Sequence, residues 1–150
     1  MKAILHTDGG ARGNPGPAGI GIVLTDESGD VIAEVGEGIG VTTNNVAEYT
    51  ALTTGLRMAL DLGVSEIDVR VDSQLVVSQV KGEWKIKQDH LRPLAVEARS
   101  LLDRFERASI EHVPRESNAD ADKLANQGMD AAMLDADLDA EMPDQGSLLE

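Results

Sequence analysis

No cysteine occurs among the 150 residues, which removes disulfides, thiolate nucleophiles and cysteine-based zinc or iron–sulfur sites. Long apolar runs are also missing, and nothing approaches the roughly 18 residues that a membrane-spanning helix needs. A secretory leader is not expected, because the opening MKAILHTDGG meets Asp8, Gly9 and Gly10 too early. These absences make the cytoplasm the expected compartment and exclude a membrane partner. Bases are scarce: 13 Lys and Arg stand against 27 Asp and Glu, a net charge of −14. The imbalance is uneven. Residues 129–150 hold seven acids and no Lys or Arg, leaving 13 bases against 20 acids on residues 1–128. That balance argues against a protein that coats nucleic acid by bulk charge. It leaves room for a local basic strip and for carboxylates that hold metal.

What is present describes one globular domain. Hydrophobic residues are 41% and charged residues 27%, enough apolar material for a core in a chain of this length. Lys2 to Thr7 is a short apolar run, and the segment Asp8 to Pro17 is dense in Gly, Pro, Asn and Asp, which punctuates the chain. Ala18–Thr25 and Val31–Gly38 read as two strands joined by Asp26-Glu27-Ser28-Gly29-Asp30. Val46, Tyr49, Leu52, Leu56 and Leu60 recur at helical spacing, and Gly63 ends that helix. Ile67, Val69 and Val71 alternate with Asp68, Arg70 and Asp72 as in a strand. Ser73 is placed to cap a short helix to about Val80. A polar connector, a helix over His90–Glu106, a strand at Ile110–Val113 and a last helix from Ser117 or Asn118 through Leu124 follow. The order β-β-β-α-β-α-α-β-α predicts an α/β fold: one five-stranded mixed sheet, three strands antiparallel and the rest parallel, flanked by helices. Residues 1–132 are expected to form the domain, and 133–150 an acidic, disordered tail.

Four acids fall at element ends. Asp8 ends the first strand, Glu48 lies in the first turn of the first helix, Asp72 ends the fourth strand and Asp122 lies early in the last helix. Such edges bring distant positions together. Clustered carboxylates repel one another and need cations, and oxygen ligands point to magnesium or manganese rather than zinc. Taken singly, each acid is equally well a turn former or a helix-dipole partner.

The sequence around each acid decides between these readings. Thr7-Asp8-Gly9-Gly10 with Gly13-Asn14-Pro15-Gly16, Thr42-Thr43-Asn44-Asn45-Val46-Ala47-Glu48, Asp72-Ser73-Gln74, and His112-Val113-Pro114-Arg115 with Asn118, Asp122 and Leu124-Ala125 follow one another in order over residues 4–128. This ordered set resembles the type 1 ribonuclease H family. The resemblance implies the ribonuclease H-like fold and a monomeric endonuclease. It would cut the RNA strand of an RNA–DNA hybrid, leaving 5′-phosphate and 3′-hydroxyl ends. It also implies that Asp8, Glu48, Asp72 and Asp122 hold two Mg²⁺ ions, with Mn²⁺ as a substitute, flanking the scissile phosphate. Asp120 competes with Asp122, but helical geometry sets the two about 200° apart, and the spacing from Asn118 favours Asp122.

Gly9, Gly10 and Gly13 let backbone amides approach a sugar–phosphate chain, with Arg12 beside them, a tight turn without a ligand being the alternative. Asn14, Asn44, Asn45 and Gln74 resemble family residues that hydrogen-bond the hybrid in its minor groove. Thr43 resembles a residue of a DNA-phosphate pocket. Amides and hydroxyls suit this work because they donate and accept at 2′-hydroxyls and base edges. Asn44 is also a candidate helix cap. His112 takes the place of a mobile histidine that assists proton transfer or product release; a structural histidine held on the strand is the alternative reading, with Arg115 then meeting phosphate or released product. Lys81, Lys85, Lys87 and Arg92 surround Trp84 and His90 within 12 positions. This is the best candidate for backbone contact in an acidic chain, with Trp84 packing on a sugar or base. Its rival reading is a solvated loop anchored by Trp84. Other readings of the chain are a 3′–5′ exonuclease, which the glycines after Asp8 oppose, a hybrid- or duplex-RNA-binding module, and the nuclease domain of a larger fused protein.

Overall fold

A computed structural model describes residues 1–141. The first three strands, β1 (Lys2–Ala11), β2 (Gly16–Asp26) and β3 (Val31–Thr42), form an antiparallel meander. Then come α1 (Asn44–Asp61), β4 (Glu66–Val71), α2 (Gln74–Val80), α3 (Arg92–Leu102), β5 (Arg107–His112) and α4 (Ala119–Glu141), with short 3₁₀ turns at Asp89–Leu91 and Arg115–Asn118. The sheet order is β3-β2-β1-β4-β5, with β4 parallel to both β1 and β5. The expected five-stranded mixed sheet is therefore the observed one.

β1 lies at the centre and is covered on both faces. Its odd positions face α1: Leu5 and Thr7 pack under Gly55. Here the main core forms, from Leu5, Ile20, Ile22, Leu52, Leu56, Val69 and Val76, with Leu91, Ala95 and Leu101 closing it from α3 and the turn before it. Tyr49 is fully buried in this core, and burial pushes its hydroxyl up to about 12, so it remains a hydrogen-bond donor.

The opposite face belongs to α4, and glycine makes that contact. Gly19 pairs with Gly38 and Gly21 with Gly36 across β2 and β3, giving a patch without side chains. A Cβ at Gly21 would strike the carbonyl of Ala121; one at Gly19 would strike Met129 and Ala125; one at Gly128 would strike Glu37. Helix and sheet thus meet backbone to backbone.

Several boundaries differ from the sequence reading, and three of the differences have a plain physical reason. β1 continues past Thr7 to Ala11 because Gly9 and Gly10 pair with Ile20 and Gly19, and tertiary pairing overrides glycine's weak strand preference. The turn at Asp89–Leu91 precedes α3, which carries Pro93 in its first turn, where no intrahelical donor is needed. α4 runs to Glu141 instead of stopping at Leu124. Residues 133–141 of the expected disordered tail are therefore helical, being rich in Ala, Leu and Met, strong helix formers. Ala132 packs against Gly38, and Arg12 pairs with Asp130 at 2.6 Å. Residues 142–150 of that expected tail lie outside the described residues. No helix among the described residues is long and apolar enough to cross a membrane.

The glycine patch predicts a stability cost. Gly21→Ala is expected to destabilise the protein by about 1–3 kcal/mol through overpacking, read as a lower denaturation midpoint at an unchanged m-value. A midpoint equal to that of the wild type would contradict the backbone contact.

Candidate active site

The site is assembled by the four contacts around the centre of β1. Asp8 is on β1, 7% exposed. The next residue, Gly9, lets α1 settle on the strand: a Cβ there would strike the Ala47 carbonyl and the Glu48 amide. Glu48 is thereby set beside Asp8. Thr43, not Asn44, caps α1, its Oγ1 accepting from the Val46 amide at 3.3 Å. Thr7 pairs with Val71 in the parallel ladder, so Asp72, the residue after β4, stands level with Asp8. Ser73 then caps α2. The fourth contact fixes α4. Asn118 is 1% exposed and donates its Nδ2 to the Thr7 carbonyl at 2.8 Å, which seats the start of the helix one residue from Asp8.

Carboxylate oxygens of Asp8, Glu48 and Asp72 lie within 4.8 Å of one another. Asp122 stands outside that trio at the rim, in an ion pair with Arg115 at 3.2 Å. Asp120 faces a separate cavity beside His6, whereas Asp122 borders the carboxylate cavity. Together Asp8, Glu48, Asp72, Asp122, Arg115 and Asn126 border an open cavity of about 440 Å³.

Burial and like charge act in the same direction here. The Asp8 carboxyl is pushed from 3.8 up to about 8, first by burial, then by the charge of Asp72 and contact with Asp122. Glu48 is raised well above its ordinary range by burial, then by Asp8 and Asp72, with the Gly9 amide opposing. Asp72 is raised mainly by burial, while its contact with Asp8 and the charge of Arg115 pull it back. Glu48 Oε2 is buried without a hydrogen-bond partner. An orphaned carboxylate oxygen, converging like charges and a donor set made only of oxygen fit a hard divalent cation such as Mg²⁺ or Mn²⁺.

The polar residues around the cluster divide into two groups. Asn14 Oδ1 accepts from the Asn44 amide at 3.0 Å, and Asn44 Oδ1 accepts from the Ala11 amide at 2.8 Å. These bonds pin the glycine turn to α1 and leave the side-chain donors of both residues for other partners. Arg12 borders the cavity, but its guanidinium is engaged with α4: Asp130 at 2.6 Å and Asn126 at 3.2 Å. Gln74 donates to Ser78 Oγ at 2.7 Å. Gly10 lies under Met129 of α4, and Gly9 and Gly10 both line the carboxylate cavity. The second group lines a neighbouring groove of about 650 Å³: Asn45, Leu75, Gln79, Trp84, Lys85 and Lys87. Trp84 is 49% exposed, so it is not the buried anchor of a solvated loop. His112 is exposed at the end of β5, paired in register with Val71, and is not among the residues bordering the carboxylate cavity.

Two site residues escaped the sequence reading. Asn126 follows Asp122 by one helical turn and donates to its carbonyl at 2.9 Å; the i,i+4 spacing was the available signal. Gln79 is buried and sits in the groove, and no local pattern marks it.

Comparison with known proteins agrees with this geometry. The reverse transcriptase-like family model matches residues 6–128. A ribonuclease HI of Halobacterium salinarum is 50% identical over 127 residues, covering 85% of this chain and 64% of that protein. A bifunctional protein of Mycobacterium tuberculosis is 49% identical over 142 residues, 94% of this chain but 39% of that protein. The solved N-terminal RNase H domain of that mycobacterial protein superposes with a TM-score of 0.87 at 48% identity, covering 91% of this chain and 99% of the domain. An RNase H1 isolated from compost and solved with an RNA/DNA hybrid superposes with a TM-score of 0.81 at 43% identity, covering 87% and 99%. The chain thus spans well under half of the mycobacterial protein and about two thirds of the halobacterial one.

The raised carboxyls predict how stability depends on pH. Asp8 ionises near 3.8 when unfolded but holds its proton to about 8 when folded. Over that interval the folded chain binds more protons, so its stabilising effect is complete below pH 3.8 and is lost as pH rises toward 8. Glu48 and Asp72 add in the same direction. In EDTA the melting temperature is expected to fall between about pH 4 and about pH 8. Asp8→Asn should flatten that fall and melt above the wild type at the alkaline end. Parallel curves would contradict the repulsion.

Proposed function

This chain belongs to the type 1 ribonuclease H family, and from that premise we propose that it hydrolyses the RNA strand of RNA–DNA hybrids, leaving 5′-phosphate and 3′-hydroxyl ends. The observation that carries the reading is the convergence of Asp8, Glu48 and Asp72 within 4.8 Å, with Asp122 at the rim, in an open cavity bordered by amide side chains. Asp8, Glu48, Asp72 and Asp122 would hold two Mg²⁺ or Mn²⁺ ions. When bound, such ions supply Lewis acidity at the phosphoryl oxygens and lower the pKa of the attacking water.

The chain's own groups do the remaining work. The free amides of Asn14 and Asn44 donate to the strand beside the carboxylates, where 2′-hydroxyls identify RNA. Arg115, paired with Asp122 at 3.2 Å, is one of two arginines bordering the cavity and meets phosphate charge there. His112 lies one register step from Asp72 and assists product release from outside the cavity. Asn44 borders the carboxylate cavity and its neighbour Asn45 borders the groove. A duplex straddling the first turn of α1 therefore lays one strand in each. The DNA strand runs along Asn45 and Trp84, with Thr43, Lys85 and Lys87 on its phosphates. Residues 1–132 carry the whole site, as a monomeric cytoplasmic unit.

Cleavage of a labelled hybrid, with matched duplex RNA and duplex DNA as controls, tests this reading. The expected result is Mg²⁺-dependent cutting of the hybrid's RNA alone, and a loss of at least about 100-fold in kcat for Asp8→Asn or Asp72→Asn. Binding without cutting would favour the non-catalytic module. Cutting of duplex DNA, or 2′,3′-cyclic phosphate ends, would contradict the assignment. For the groove, Lys85→Ala combined with Lys87→Ala is expected to raise KM more than it lowers kcat, because uniform binding is lost. Its salt dependence should weaken by about one unit of slope per phosphate contact removed. An unchanged KM and slope would remove both lysines from the interface.

A further inference from the structure

The groove holds one polar group whose bonding is oddly incomplete. Gln79 is 3% exposed yet borders the groove with Asn45, Leu75 and Trp84. Its oxygen is taken, because the Tyr49 hydroxyl donates to Oε1 at 2.7 Å. Its backbone is taken too: Arg99 donates to the Gln79 carbonyl at 2.6 Å and to the Val80 carbonyl at 2.9 Å. Tyr49 is fully buried within the main core, so it cannot follow a turning amide. Gln79 is held at both ends, and its Nε2 has no acceptor among the described residues. The residue is buried as a whole, but this nitrogen is not among the fully enclosed atoms without a partner, so it reaches the groove. Here one end is satisfied by the protein and the other is left open at a groove.

We infer that Gln79 is a substrate-binding residue, whose Nε2 donates to an acceptor atom on the strand lying against Leu75 and Trp84, and that Tyr49 is the positioning residue that keeps this amide a donor. The inference rests on the hybrid reading above, which puts DNA in the groove. A free glutamine offers either end to a ligand. This one offers only N–H, because presenting Oε1 would break the Tyr49 bond. It therefore suits the acceptor atoms of a deoxyribose strand (ring oxygen, base-edge oxygen or nitrogen, phosphate oxygen). The rival view is that Gln79 merely ties α1, α2 and α3 together.

Binding of a labelled hybrid in an Asp8→Asn background, where cleavage is stopped, separates the two. Gln79→Met combined with Tyr49→Phe removes the amide and the hydroxyl together, so neither partner is left unpaired in the core. The expected result is a melting temperature close to the parent's, a Kd for the hybrid about tenfold weaker, and, with Asp8 restored, a raised KM at unchanged kcat. Tyr49→Phe alone frees the amide to turn and should weaken binding by about threefold. Parent-like affinity in the double variant, or in Tyr49→Phe should the double variant not fold, would overturn the inference. A parent protein that does not bind hybrid at all would instead overturn the reading on which it rests.

Discussion

Backbone contact through glycine is the constraint on which the molecule depends. α1 reaches β1 because Gly9 has no side chain to hold it off, and α4 reaches β2 and β3 because Gly19, Gly21, Gly36 and Gly38 present a bare surface. Both helices bring an acid with them. Glu48 arrives with the first and Asp122 with the second, while Asp8 and Asp72 are fixed by a parallel ladder in register at Thr7 and Val71. Asn118 secures the last of these positions through the Thr7 carbonyl. The carboxylates therefore converge because the packing of the whole domain leaves them no other place.

Such convergence opposes folding in the absence of a cation. Burial and mutual charge raise Asp8, Glu48 and Asp72 together, and Glu48 keeps an oxygen without a partner. Among the described residues, Arg115 offsets part of this charge, at the rim, through its ion pair with Asp122. The core on the α1 face carries the stability that the site removes. Polar atoms nearby are used in the same economical way: the oxygens of Asn14, Asn44 and Gln79 are committed inward, which leaves their amides as donors. A surface that donates beside a carboxylate cluster suited to cations matches a polyanion with acceptor atoms on its sugars and base edges.

Much of this was legible in the residues themselves. Alternation in Ile67, Val69 and Val71 and helical spacing from Val46 to Leu60 located the elements, and the four acids stood at their ends. Chemistry that depends on single residues at element boundaries survives in sequence. What did not survive was contact between distant backbones. The glycines of β2 and β3 carry no local signal of the α4 contact, and Gly9 and Gly10, which line the carboxylate cavity, also admit α1 and Met129 of α4. Helix length was misjudged for a related reason. Beyond Leu124 the apolar stripe thins, but alanine-rich sequence and the Arg12 contact with Asp130 carry the helix on. Gln79 stayed hidden because its meaning lies in Tyr49, 30 positions away.

These packed carboxylates are proposed to form a cation site from which an incoming metal displaces protons. Calorimetric titration of Mn²⁺ into the protein near neutral pH, repeated in buffers of different ionisation enthalpy, tests it most directly. The account predicts saturable binding accompanied by proton release, because Asp8 holds its proton to about 8, with both binding and release sharply reduced in Asp8→Asn. Binding of equal strength in the variant, or binding with no protons released, would contradict it.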